Sequence, residues 1–406
     1  MKVLLVNDFW EAGGAEEVFR RTGECIQDQY AVSYYYKSKN YSKADGLLDY
    51  IFSFRNKSTF LEKLKKESPD IVHIHNYYHV LSPSILYSLR QYKKNHPVKV
   101  LMTAHDYHLI CPNSGLTHFK EIDGKRQLQK VEKQLSIWDK LFLQFDNRGF
   151  AYSTAKKLQW ILAYDILKLY DVIDLILSPS KFLKDTFQYH HPSLPEIKVV
   201  RNPIKLKKNQ EGTHLPVNNT VPTQTLRMIF LGRISPEKGL LELIESLGKI
   251  DKTKFVLDIY GSGEEAYMQG LKDAVAQHAL HENIHFRGYV SSDVLDTVMN
   301  NMDAAILPSL WFENAPLSVL EAAIKGLQIL TLNYGGMKEM AEIAGNYQLF
   351  ELNDFTSLER AIDHAIQEKN ANRTTIPSLE NNAEYKKMVN YEAVITKVYK
   401  DILTDV

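Results

Sequence analysis

Cysteine is scarce in this 406-residue chain. Only Cys25 and Cys111 occur, too few for a disulfide framework or a metal cluster, and both read as reduced thiols in or near a core. Net charge is missing too. The 49 Lys and Arg balance 49 Asp and Glu, which excludes the strong basicity of a nucleic-acid binder. No apolar run approaches the roughly 20 residues of a spanning helix. The opening run, residues 1–6, stops at Asn7-Asp8 and is too short for a signal peptide, so a cytoplasmic protein is expected. An Asp-x-Asp metal motif is also absent.

What remains is an ordinary globular composition, 44% apolar and 24% charged, at a length that predicts two or three domains. Charge is unevenly spread. Residues 1–200 hold 28 Lys and Arg against 22 Asp and Glu, or +6, and residues 201–406 hold 21 against 27, or −6. A mildly basic first half suits an acidic acceptor or an anionic membrane surface.

Short apolar runs alternate with helical stripes in both halves, the rhythm of doubly wound α/β domains. In the first half, residues 2–6 predict a buried parallel strand, followed by a loop over 7–14 and a helix from Ala15 to about Gln27. Gly13 and Gly14 at that helix start allow close backbone approach to an anion. Residues 70–75 (DIVHIH) and 99–105 (KVLMTAH) predict strands that end in histidine. Ligands gather at the carboxyl ends of parallel strands, so His75 and His105 are placed for function, whereas His73 belongs to the packed strand. The two lack a third ligand at a convincing spacing for a metal. Residues 175–178 predict a strand, Ser180 a helix cap, and 197–201 the last strand of this half.

Residues 205–225 are rich in Lys, Asn, Thr and Pro and read as a linker. The rhythm then restarts with strands at 227–231, 255–260 and 284–289. Arg233 and Lys238 flank a strand-to-helix turn, where two cations reach one diphosphate. The chain is organised around residues 304–336. A strand over 304–308 leads to Glu313-Asn314-Ala315-Pro316, a helix start, and a helix follows over 317–326. The strand 328–332 comes next, and Gly335-Gly336 is expected to open a loop. The helix N-terminus suits a phosphate, Glu321 the hydroxyls beside it, such as a ribose diol, and Glu313 whatever lies on the other side. That layout suits a nucleoside diphosphate joined to a sugar.

Glu313 and Glu321 with seven residues between them, the Glu-Ala-Ala that Glu321 begins, and the later Gly-Gly resemble the retaining glycosyltransferases of family 4. Gly-Arg, four residues, Lys-Gly at 232–239 matches the phosphate-binding segment of those enzymes. Gly-Gly-Ala-Glu after the first strand is similar to their first loop, and Thr103-Ala104-His105-Asp106 to the segment carrying an active-site histidine. The resemblance implies the GT-B fold, with two facing Rossmann-like domains and a cleft between them. The domains would be 1–204 and 205–384, with a helix over 385–406 packing back on the first. It further implies transfer of a hexosyl group from a UDP- or GDP-sugar to an acceptor hydroxyl, with retention and without a metal. Arg233 and Lys238 would stabilise the leaving diphosphate and Gly13 and Gly14 approach it. Glu321 would hold the ribose, Tyr289 and Val290 line the nucleobase, Glu313, Asn314, Ala315, Pro316 and Leu317 position the donor sugar, and His105 contact it. Two other readings stand beside this one, a GT-B-shaped sugar-nucleotide epimerase or hydrolase and a non-catalytic partner subunit.

Residues 111–169 are the least readable. Lys120, Lys125, Arg126, Lys130 and Lys133 precede an aromatic stretch. A glycan or lipid-linked glycan acceptor, with an anionic head and an apolar tail, would use both features, and implies peripheral contact with the cytoplasmic face of the plasma membrane. In LQWILAYDILKLY (158–170), apolar residues on nearly all sides favour a buried helix over an amphipathic surface one.

Overall fold

The computed structural model describes residues 1–11, 13–37, 46–122, 125–204, 224–352, 354–371 and 379–404. The expected linker lies almost wholly outside the described residues. The chain forms two units, Met1–Ile204 with Lys387–Val406, and Lys205–Lys386.

The first unit holds β1 (Lys2–Phe9), β2 (Ala31–Lys37), β3 (Ile71–Ile74), β4 (Lys99–Thr103), β5 (Thr117–Ile122), β6 (Lys125–Lys130), β7 (Leu175–Ser178) and β8 (Ile197–Val199). Six of these make one parallel sheet in the order β2-β1-β3-β4-β7-β8, while β5 and β6 form a separate antiparallel hairpin. The strand order reverses at β1, whose next neighbour outward is β3. Helix Tyr391–Thr404 buries Tyr391, Ile395, Tyr399 and Ile402 in the same core as Val3, Leu5 and Phe19. Each fully buried large apolar side chain contributes roughly 1.5–3 kcal/mol.

β1 runs three residues past its expected end, through Asn7 and Asp8. Both polar side chains are fully buried, and the chain after β3 satisfies them. The Asp8 carboxylate accepts the N–H groups of His79, Val80 and Leu81 at 2.9, 3.0 and 2.9 Å. Asn7 Oδ1 accepts Asn76 N–H at 2.9 Å. Buried polar groups with partners at these distances do not break a strand.

The second unit holds β9 (Leu226–Leu231), β10 (Phe255–Tyr260), β11 (Ile284–Gly288), β12 (Ala304–Leu307), β13 (Gln328–Leu332) and β14 (Tyr347–Phe350). All pair in parallel, in the order β11-β10-β9-β12-β13-β14. The order reverses between β9 and β12. In an open α/β sheet, that is where a crevice opens outside the carboxyl ends of the strands. Helices Leu240–Leu247 and Leu317–Ile324 begin just beyond those two ends. Gly335 and Gly336 do not open a loop as expected; they begin helix Gly335–Ala344.

Candidate active site

Two loops meet at the reversal point of the second sheet, one after β9 and one after β12. The Glu237 carbonyl ties them together. It accepts Leu310 N–H at 2.9 Å, Trp311 N–H at 3.3 Å and the Ser309 hydroxyl at 3.2 Å. Gly239 sits at φ +69°, and a Cβ there would lie 2.1 Å from the Pro308 carbonyl oxygen. The second loop is held in turn from behind. Gly336 N–H donates to the Glu313 carbonyl at 2.8 Å, and the Tyr334 hydroxyl donates to the Ser309 carbonyl at 2.8 Å. A Cβ on Gly336 would lie 1.8 Å from the Asn314 carbonyl oxygen. Close approach thus explains Gly336, while Gly335 sits at φ +69°, a conformation that favours glycine.

The interlocked loops bring Lys238 and Glu313 into contact across 75 positions of sequence, Nζ to Oε1 at 2.5 Å. Ser309 Oγ donates to the same carboxylate oxygen at 3.1 Å. Lys238, Ser309, Glu313, Pro316, Ser318 and Met337 are among the residues lining a pocket of about 40 Å³. Arg233, in the same loop as Lys238, has Nη2 2.6 Å from Glu237 Oε1 and a side chain 68% exposed. Helices Leu240–Leu247, Leu317–Ile324 and Gly335–Ala344 begin at Gly239, Pro316 and Tyr334 without a side-chain cap. Their first backbone N–H groups carry partial positive charge. The structure thus gathers Arg233, Lys238, Glu313, Asn314, Ala315, Pro316 and Leu317 at one sheet edge. Glu321 lies one turn into its helix, exposed. Tyr289 and Val290 follow β11, two strands from β9 or about 10 Å away. Sequence reasoning missed Ser309, although its place directly after a strand-ending Pro308 is a signal that topology makes meaningful.

Gly13, Gly14 and His105 belong to the first unit. Gly13 precedes helix Gly14–Ile26, and a Cβ on Gly14 would meet nothing within 4 Å. His105 follows β4, and its Nε2 lies 3.0 Å from Nδ1 of His75, which follows β3. His73 is bonded on both ring nitrogens, to the Tyr399 hydroxyl and Thr103 Oγ1, each at 2.7 Å, and belongs to the packed strand. Burial disfavours the charged form of all three rings. It lowers His73 to about 3, His105 to about 4 and His75 well below its ordinary value, so His105 is a neutral hydrogen-bonding group near pH 7.

These shifts predict a pH dependence of stability. An unfolded histidine takes up a proton near 6.5, whereas the folded rings resist it down to about 4. Between those values the unfolded state binds more protons, so stability falls as pH falls, by up to about 1.4 kcal/mol per pH unit for each ring. Thermal unfolding is expected to shift to lower temperature from pH 7 to pH 5. A flat profile across that window would show that the rings are not buried neutral.

With this geometry in view, the chain was compared with known proteins. Residues 214–383 match the glycosyl transferases group 1 family. That span is a little under half of the chain. The chain is 30% identical over 167 residues to a glycogen synthase of Mycobacterium tuberculosis, covering 41% of this chain and 39% of that protein, so the match spans about two fifths of that relative. It is 25% identical over 321 residues to an uncharacterised 42.6 kDa protein of the cps region of Klebsiella pneumoniae, covering 79% of this chain and 72% of that one. Among solved structures, it resembles sucrose-phosphate synthase of Thermosynechococcus elongatus at a TM-score of 0.69 and 13% identity, with all of both chains covered. It also resembles HepE of Anabaena in complex with UDP and glucose, at a TM-score of 0.61 and 14% identity, covering 98% of this chain and all of that one. The two six-stranded parallel units are those of the GT-B glycosyltransferase fold.

Proposed function

We propose that this protein is a retaining glycosyltransferase that moves a hexosyl group from a UDP- or GDP-sugar to an acceptor hydroxyl in cell-surface polysaccharide or glycolipid assembly. The observation that carries the reading is the cluster of Lys238, Arg233 and two uncapped helix starts, those of Leu240–Leu247 and Leu317–Ile324, at the reversal point of the second sheet. Positive groups fixed in advance around one small volume favour charge that develops on a departing diphosphate. In the reaction, the bond from the anomeric carbon to the diphosphate oxygen breaks and its electron pair leaves with the nucleoside diphosphate. The acceptor oxygen bonds to the anomeric carbon, and its proton passes to the departing phosphate oxygen. Glu313, anchored by Lys238 and Ser309, positions the donor sugar, and Glu321 holds the ribose. Within the first unit, Gly13, Gly14 and neutral His105 are the residues to which the resemblance gives a role toward the donor. The likeness to a glycogen synthase supports glycosyl transfer, and HepE, solved with UDP and glucose, supports a nucleotide-sugar donor.

Mass spectrometry after incubation with UDP-, GDP- and ADP-sugars tests this reading. A nucleoside diphosphate and a hexosylated product are expected with UDP- or GDP-sugar. Rapid epimerisation without acceptor would replace the transfer reading by an epimerase, and no turnover of any donor would leave a non-catalytic subunit. Because cations and helix starts supply the positive charge, activity is expected to survive excess EDTA. Complete loss that Mg²⁺ or Mn²⁺ restores would overturn the metal-free mechanism.

A further inference from the structure

Helix Ile137–Phe142 is amphipathic in the wrong direction for a protein surface. Its apolar residues Ile137, Trp138, Leu141 and Phe142 recur at one-face spacing and are 48–76% exposed. Its polar residues are engaged by hydrogen bonds at the surface of the unit. Asp139 and Ser136 form a capping box, and Lys140 Nζ lies 2.8 Å from Asp165 Oδ1 and over the Trp160 ring. Trp138 and Phe142 stack at 5.9 Å. Lys157 Nζ donates to the Leu141 carbonyl at 2.7 Å and lies over the Phe150 ring, tying this helix to helix Phe150–Trp160. Phe150 is itself 79% exposed. Helix Leu47–Phe52, joined to the latter helix through Gln159 Nε2 and the Tyr50 carbonyl at 2.6 Å, adds exposed Leu48. Large apolar side chains held outward by well-satisfied polar groups mark an interaction surface.

Charge and composition select the occupant. Residues 117–160 carry nine Lys and Arg against five Asp and Glu, or +4, in a chain that is neutral overall. One of those acids, Asp146, is buried and engaged by Arg148 and Lys156. The β5–β6 hairpin, which carries Lys120 and Lys130, joins the same region where Phe119 N–H donates to the Gln144 carbonyl at 2.7 Å. Cations lie over aromatic faces, as Arg148 does over Tyr152 at 4.1 Å. Exposed Phe150 and Tyr152, each with a cation over its ring, suit the headgroup level of an anionic bilayer. A second copy docked face to face would set the same cations against each other.

We propose that this face of the first unit, centred on Trp138 and Phe142, seats in the interface of an anionic membrane. The inference does not rest on the transfer reading, because it is tested without any sugar nucleotide. The full chain is sedimented with vesicles of phosphatidylcholine alone and of equal parts phosphatidylcholine and phosphatidylglycerol. Binding is expected only to the anionic vesicles, weakening as salt screens the cations. W138S/F142S, at exposed positions that leave thermal unfolding unchanged, is expected to lower partitioning at least about tenfold. Phe150→Ser gives a second, independent reduction. Failure of the wild type to bind anionic vesicles, equal binding to neutral ones, or undiminished binding by both variants would overturn the proposal. A wild-type dimer in sedimentation velocity that W138S/F142S dissociates would assign the face to a second copy instead.

Discussion

Gly336→Ala is expected to lower kcat/KM about a hundredfold, the loss that follows when catalytic groups are displaced by about 1 Å. The added methyl would sit 1.8 Å from the Asn314 carbonyl oxygen and 2.4 Å from that of Glu313. Neither is the mobile end of a side chain, so the loop after β12 must move, and the Glu313 carboxylate moves with it. Gly239→Ala acts from the other side, against the Pro308 carbonyl oxygen and at a positive φ that alanine resists. Gly270→Ala is the control, in helix Glu265–Gln277 with nothing within 4 Å of its Cβ. It should leave activity unchanged and raise stability by up to about 1 kcal/mol. Steady-state kinetics with the active donor checks all three. Full activity in Gly336→Ala would show that loop position does not govern turnover.

Lys238→Ala and Arg233→Ala are each expected to reduce kcat/KM at least about tenfold, because a charge-assisted contact is worth roughly 1.5–3 kcal/mol. Lys238 needs a further measurement, since it also holds Glu313. If it served only to anchor that carboxylate, Lys238→Ala would cost nothing more in a Glu313→Gln background. The proposal requires that it still costs about tenfold there, because the cation itself meets the diphosphate. Unchanged kinetics in either single variant, with the fold intact, would remove that residue from the site.

The second unit was legible because its strands at 255–260 and 328–332 are short, mostly apolar runs ending at a turn, interrupted by Asp258 in one and by Gln328 and Thr331 in the other, the form a doubly buried parallel strand takes. Arg233, Lys238 and Glu313 stood out as charged groups at strand-to-helix turns. Their arrangement did not, because the Lys238–Glu313 contact depends on β9 lying beside β12, and chain order does not state strand order. Asn7 and Asp8 misled the reading of β1, since a buried acid looks like a strand end until its three amide donors are known. Residues 111–169 resisted for other reasons. The β5–β6 hairpin carries charge along both strands, and helix Ile137–Phe142 turns its apolar face outward. Within 158–170, Trp160, Tyr164, Leu169 and Tyr170 are all buried, as the apolar residues on nearly all sides suggested. Ile166 is exposed there, and most of the other exposed apolar residues of the region, Trp138, Phe142 and Phe150 among them, precede it.

On this reading, a nucleoside diphosphate binds where the loops after β9 and β12 interlock. A crystal structure of the protein with UDP or GDP tests it most directly. The diphosphate is expected within hydrogen-bond reach of Lys238 Nζ and of the backbone N–H groups that open helix Leu317–Ile324, with Arg233 turned toward it from Glu237. A diphosphate bound elsewhere, with the Lys238–Glu313 pair and its pocket untouched, would contradict it.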